Sequence, residues 1–160
     1  MKTVKIELPD QMTEVNLKGF VDRVDLIGKT IRIIDYKTGQ VDKKEVELND
    51  WMDLLEDPEK DKCFQLLMYA YLLDNTLGIG DPQLEAGIIS LKKVKAGFLK
   101  LSVPDGNEGP DASIDRQSLK KFEEILLRII QEIFDPGVPF DQTTDPDICR
   151  NCPYINLCGR

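Results

Sequence analysis

The chain has 160 residues, 41% hydrophobic and 31% charged, which suits a single globular domain and excludes a disordered or fibrous polymer. Twenty-nine acidic against 21 basic side chains give a formal charge of −8, so any nucleic-acid contact must be local rather than a general coating of positive charge. Histidine is absent, which removes Ser-His-Asp and Cys-His catalysis and His-containing zinc sites together.

Residues 2–8 alternate, with Val4, Ile6 and Leu8 on one side, and predict a strand. A longer stretch from about 14 to 27 runs through Gly28-Lys29 into 30–37 and predicts a hairpin. Asn49 or Asp50 can cap a short helix through Leu55. Asp57-Pro58 offers a cap and a first-turn proline for a second helix, which Gly78 can close. That helix is apolar nearly all round from Phe64 to Leu73, so it should be buried. Leu84–Leu91 and Phe98–Val103 read as two further strands, joined through Lys92-Lys93-Val94-Lys95-Ala96-Gly97. After a polar loop from Pro104 to Ser113, Asp115 caps a helix with apolar positions at Leu119, Phe122, Leu126, Ile129, Ile130 and Ile133, and Asp135-Pro136-Gly137 ends it. This order predicts an α/β fold, a mixed sheet flanked by helices, over residues 1–140, with a cysteine-bearing tail at 141–160. No apolar run approaches the ~20 residues of a membrane span. The N-terminus lacks the apolar stretch of a secretory signal, so the expected compartment is the cytoplasm.

The hairpin concentrates the chemistry. A loop centred on Gly28-Lys29 places Ile27 opposite Thr30, Asp25 opposite Arg32 and Asp22 opposite Asp35. One face then gathers Phe20, Val24, Leu26, Ile31 and Ile33 with Asp22, Asp35 and Lys37; the other carries Arg23, Asp25, Arg32 and Tyr36. Asp25 and Arg32 can pair across the strands. Two facing carboxylates on an apolar surface repel and lose hydration, so something must compensate them. A Mg²⁺ or Mn²⁺ ion would do so, with Lys37 orienting the attacking water. Lys37 bridging both aspartates in a buried ion triad is the other reading, and spacing does not separate the two. Gln65 and Tyr69, four apart on the buried helix, share a face. A glutamine there needs polar partners, whether backbone groups or the site itself.

The run Gly19-Phe20-Val21-Asp22-Arg23-Val24-Asp25, then Ile34-Asp35-Tyr36-Lys37-Thr38-Gly39, then Gln65-x3-Tyr69, resembles the RecB-like family of PD-(D/E)xK nucleases. With the cysteine tail it is most similar to the C-terminal nuclease domains of AddB-type helicase–nuclease subunits. The resemblance implies a restriction-endonuclease-like fold and Mg²⁺-dependent, exonuclease-type cleavage of DNA in recombination and repair, with helicase domains or subunits as partners. It implies Asp22, Asp35 and the Tyr36 carbonyl as metal ligands, Lys37 serving the nucleophile, and Gln65 and Tyr69 steadying the ligands or a DNA phosphate. It further implies that Cys149, Cys152 and Cys158 join an upstream cysteine around a [4Fe–4S] cluster. Nothing before residue 63 can match that fourth ligand, and Cys63 sits on the buried helix. The helix that precedes the first strand in such nucleases is also missing, which leads to the expectation of a fragment of a longer protein. The alternative function is a catalytically incomplete domain that grips DNA or docks partners.

Elsewhere, Lys92, Lys93, Lys95 and Lys100 form the best local candidate for phosphate contacts, against the alternative of a solvated turn. Lys120, Lys121 and Arg128 alternate with Glu123, Glu124 and Glu132 as a wet helix face. Trp51 and Met52 are expected to pack in the core or an interface.

Overall fold

The computed structural model describes residues 1–8, 11–74, 83–104, 113–139, 141–150 and 152–159. In chain order the strands are β1 (Lys2–Leu8), β2 (Gln11–Leu17), β3 (Arg23–Ile27), β4 (Thr30–Lys37), β5 (Gln83–Ser90) and β6 (Phe98–Lys100). The helices are α1 (Asp53–Glu56), α2 (Asp61–Leu73), α3 (Arg116–Phe134) and α4 (Pro146–Cys149), with 3-10 turns at Lys43–Val46, Pro58–Lys60 and Leu91–Ala96.

β3, β4, β5 and β6 form a sheet in that order. The β3–β4 and β5–β6 pairs are antiparallel, whereas β4 and β5 run parallel, with Asp35 beside Ile88 and Lys37 beside Ser90. The expected mixed sheet with flanking helices is therefore the architecture observed. α2 packs on β4 and β5, and α3 packs on α2 and β1. Between them lies one core in which Ile31, Ile33, Leu66, Leu67, Ala86, Ile88 and Phe122 are buried. Phe122 on α3 meets Phe64 and Tyr71 of α2 edge to face, at 5.3 and 6.0 Å between ring centres.

The segment expected to run as one strand from about 14 to 27 divides in two. β2 pairs with β1 as a separate two-stranded sheet, from Lys2 opposite Leu17 to Leu8 opposite Gln11. The chain then leaves the ladder at 18–22 and re-enters the larger sheet at Arg23. Both strands alternate with period two, so alternation alone cannot reveal that they belong to different sheets. Gly19 lies at the crossing: a Cβ there would stand 3.2 Å from Leu72 Cδ1 and 3.5 Å from Tyr69 Cε1 of α2. The small hairpin is anchored at its start, where the Lys2 ammonium lies 3.2 Å from the centre of the Tyr71 ring. Tyr71 in turn donates its hydroxyl proton to Glu123. Glu123 is thus half-buried and engaged, not part of the wet face expected for it, while Lys120, Lys121, Glu124, Arg128 and Glu132 are exposed.

The caps fall only partly where expected: Asp57 caps the 3-10 turn Pro58–Lys60 that leads into α2 rather than α2 itself, and α1 begins at Asp53 with no side-chain cap of its own, although Asp50 accepts from the Met52 N–H at 2.8 Å just before it. Asp57 accepts from Glu59 N–H at 2.9 Å, and Asp115 accepts from Ser118 N–H at 2.7 Å. α3 ends at Asp135. Gly78, and most of the loop between Pro104 and Ser113, lie outside the described residues. Trp51 packs half-buried against the core, and Met52 is exposed. Among the described residues no helix is long and apolar enough to cross a membrane.

Cys63 is wholly buried on α2 and donates its S–H to the Glu45 carbonyl across 3.5 Å. Burial pushes its thiol up to about 12, which keeps it protonated and unreactive. With iodoacetamide at about pH 8, exposed Cys158 should be alkylated in the native protein and Cys63 only after denaturation. Peptide mass spectrometry reads this directly, and native labelling of Cys63 would show that α2 opens.

Candidate active site

The hairpin has the register read from its loop: Ile27 faces Thr30, Asp25 faces Arg32 and Arg23 faces Ile34. Gly28, at φ +62°, supplies the left-handed residue that a two-residue loop requires. β3 ends its ladder at Arg23, and Asp22 replaces the next backbone acceptor with its side chain, Oδ2 accepting from the Tyr36 N–H at 2.9 Å.

The two faces differ from the expected picture in one respect. The β4 half of the site face is buried, but its β3 half is open: Val24 is 42% exposed and Leu26 56%. β3 is an edge strand, and α2 covers β4 and β5 instead. The two carboxylates therefore sit in unlike surroundings, Asp22 in contact with solvent and Asp35 only 4% exposed. On the opposite face Arg32 holds Asp25 through two bonds of 2.8 Å, and Arg23 adds a contact of 3.0 Å. The Arg32 hydrogen bond is the main reason that Asp25 titrates below the usual carboxylate range.

Asp35 Oδ2 lies 2.8 Å from Lys37 Nζ, yet it takes no hydrogen bond. The pair is a contact of opposite charges. The directed bond of the lysine goes to Gln65 Oε1 at 2.8 Å, and Gln65 Nε2 donates to the Tyr69 hydroxyl at 2.7 Å. A lysine can only donate, so it fixes which end of the amide faces the hairpin. Asp35, Lys37, Gln65 and Tyr69 thus form one continuous polar chain from the central strand to α2. No contact of Lys37 with Asp22 accompanies it, so the triad in which Lys37 bridges both aspartates is not the arrangement found.

The donor set suits a hard divalent cation. Carboxylates are the ligand type that Mg²⁺ or Mn²⁺ takes while retaining several waters, and Asp35 and Asp22 are the two that this region offers, short of the three converging acidic groups of a closed site among the described residues. The tail suits an iron–sulfur cluster less well. Cys149 closes α4, the Cys152 N–H donates to the Cys149 carbonyl at 3.1 Å, and Cys158 is exposed. Among the described residues no three His, Cys, Asp or Glu side chains converge to hold an ion, and Cys63 is sealed in the core. The tail thiols as placed do not fit that cluster.

Ser90 is the residue that sequence reasoning passed over. It ends β5 beside Lys37, is 1% exposed, donates to the Gly39 carbonyl at 2.8 Å and accepts from the Lys93 N–H at 3.2 Å. It pins the turn after Lys37 to the turn after β5. A lone serine closing an apolar strand was the available signal, since a polar group there must find partners.

A family model described as the PD-(D/E)XK nuclease superfamily matches residues 1–159. No curated protein and no solved structure gave a match.

Proposed function

Because the chain belongs to the PD-(D/E)XK nuclease superfamily, with the restriction-endonuclease-like fold that membership entails, we propose that it hydrolyses DNA phosphodiesters with Mg²⁺ at Asp22, Asp35 and Lys37. The observation that carries this reading is the buried Asp35 oxygen left without a hydrogen bond beside a lysine tethered by Gln65. A fold built only for stability would satisfy or replace such a carboxylate.

In this reading Asp22, Asp35 and the Tyr36 carbonyl hold the ion. Once bound, it would polarise a phosphate oxygen and ease deprotonation of the attacking water. Lys37, held between Asp35 and Gln65, orients that water and offsets the negative charge that grows on the phosphorus oxygens. Gln65 is a positioning residue that acts through Lys37. Tyr69 accepts from Gln65 and so keeps its own hydroxyl proton to donate toward a phosphate oxygen. The motif set of residues 19–25, 34–39 and 65–69 supports the RecB-like branch, in which the domain serves a helicase in break repair.

Titrating Mn²⁺ into the chain and into Asp22→Asn, alongside cleavage of a fluorescent DNA, tests the reading. The expected result is binding and cleavage in the wild type and loss of both in the variant. A second reading, a domain that grips DNA without cutting it, draws on the small number of converging acidic groups. It predicts DNA binding with neither metal uptake nor cleavage.

Gln65 supplies a sharper test of the lysine. Gln65→Leu removes the acceptor of Lys37 and should lower kcat by roughly 10–100-fold with little change in KM. Gln65→Glu still accepts from the ammonium and should retain more activity than Gln65→Leu. Equal losses in the two variants would exclude a role through Lys37.

A further inference from the structure

In a chain of charge −8, the 3-10 turn Leu91–Ala96 carries Lys92, Lys93 and Lys95 and no acidic residue. The sheet places this turn at the site. β4 and β5 are parallel neighbours with Lys37 beside Ser90, so residue 91 leaves the sheet at the edge where Lys37 stands, about 5 Å away across the ladder. The Ser90 bonds to Gly39 and Lys93 hold the corner.

The lysines are not equivalent. Lys93 is paired with Asp42, and Lys100 on β6 with Glu85 at 2.7 Å. Lys92 and Lys95 are exposed and make no ion pair among the described residues. Between them Val94 is 63% exposed, and Leu91 is exposed as well, so the turn projects into solvent rather than lying along the surface. Two unneutralised ammonium groups on a projection are poorly explained by solubility in a protein already strongly acidic. They are well explained by a polyanion that must approach a pair of carboxylates, which by themselves would repel it.

We propose that the Leu91–Ala96 turn grips the nucleic-acid strand beside the scissile phosphate, with Lys92 and Lys95 on neighbouring phosphates and Lys93 holding the turn through Asp42. The proposal rests on the nuclease reading for what the turn holds. Phosphate contacts of this kind position the strand and carry no sequence preference.

The test is fluorescence anisotropy of a labelled single-stranded oligodeoxynucleotide with the full chain, with Lys92→Ala/Lys95→Ala, and with the charge-matched control Lys120→Ala/Lys121→Ala on α3. Loss of two phosphate contacts at ~0.7 each should lower the slope of log K against log salt by about 1.4. Affinity should fall roughly tenfold, and in cleavage assays KM should rise with kcat kept. The control should keep the wild-type slope. An unchanged slope in the Lys92/Lys95 variant, with Mg²⁺-dependent cleavage intact, overturns the grip and leaves the nuclease reading standing. An equal loss in the control overturns it too, since net charge would then be the cause. Lysine-dependent binding to phosphatidylserine vesicles but not to DNA overturns it in favour of a membrane surface. Lysine-dependent DNA binding without any cleavage supports the grip while removing the hydrolytic reading.

Discussion

Asp35→Ala should abolish divalent-cation-dependent cleavage, by ~10³-fold or more, equivalent to about 4 kcal/mol of barrier, while the melting temperature holds or rises. The two halves of this result have one cause. Asp35 is buried on the central strand with an oxygen that takes no hydrogen bond, and among the described residues its charge is paired with Lys37, which has its directed bond elsewhere. Such a group costs stability when nothing is bound and acquires its value with a cation in place. Removing it should relieve the fold and disable the chemistry. A melting temperature several degrees lower would mean instead that the Asp35–Lys37 contact holds the sheet together. Cleavage that survives in Asp35→Ala would remove the site assignment outright. Calorimetry on the same sample as the cleavage assay reads both.

Gly87→Ala should be among the most damaging single substitutions for stability, although it adds only a methyl group. A Cβ at Gly87 would lie 2.3 Å from the Leu99 carbonyl oxygen and 2.7 Å from the Phe98 ring. The ring could swing aside at the expense of its contact with Arg32, 5.5 Å from the ring centre. The carbonyl belongs to a backbone already fixed in the ladder, where Ile88 faces Leu99. Overpacking of this kind should cost about 3 kcal/mol, and a chain of this length should lose roughly 6–12 °C in Tm. The double variant Gly87→Ala/Phe98→Ala should recover only part of that loss, because the carbonyl remains. A Tm within a degree of wild type for the single variant would show that β6 can move away freely.

Much of this was readable one strand at a time. The Gly28-Lys29 loop fixed the register of β3 on β4 as far as Arg23 opposite Ile34, whereas the expected opposition of Asp22 and Asp35 lies beyond the ladder, where Asp22 turns its side chain to the Tyr36 N–H instead. Apolar spacing and the Asp115 cap located α3. What escaped reading was everything that depends on which element neighbours which. The alternation of residues 14–27 does not say that β2 turns back on β1 while β3 joins another sheet. Nor does it say that β3 is an edge, so the prediction that both aspartates lose hydration holds for Asp35 alone. The bond from Lys37 to Gln65 and the placement of Lys92 and Lys95 beside the site arise from the packing of α2 and the parallel pairing of β5. Neither feature is local in the chain, and no periodicity encodes it.

That same non-locality bears on when the site comes into being. Both carboxylates lie on one early hairpin, but Lys37 takes its amide partner from 28 residues further on, and Gly39 its serine partner from 51 residues further on. A parallel pair cannot close through a tight turn, and its loop entropy must be met before its contacts form. While the chain emerges from the ribosome, the acidic pair can therefore assemble long before the lysine has anything to hold it. On the proposed assignment of Lys37, the chemistry would wait for Gln65 and β5, and hydrolytic competence would arrive with completion of the fold rather than accumulate along the way.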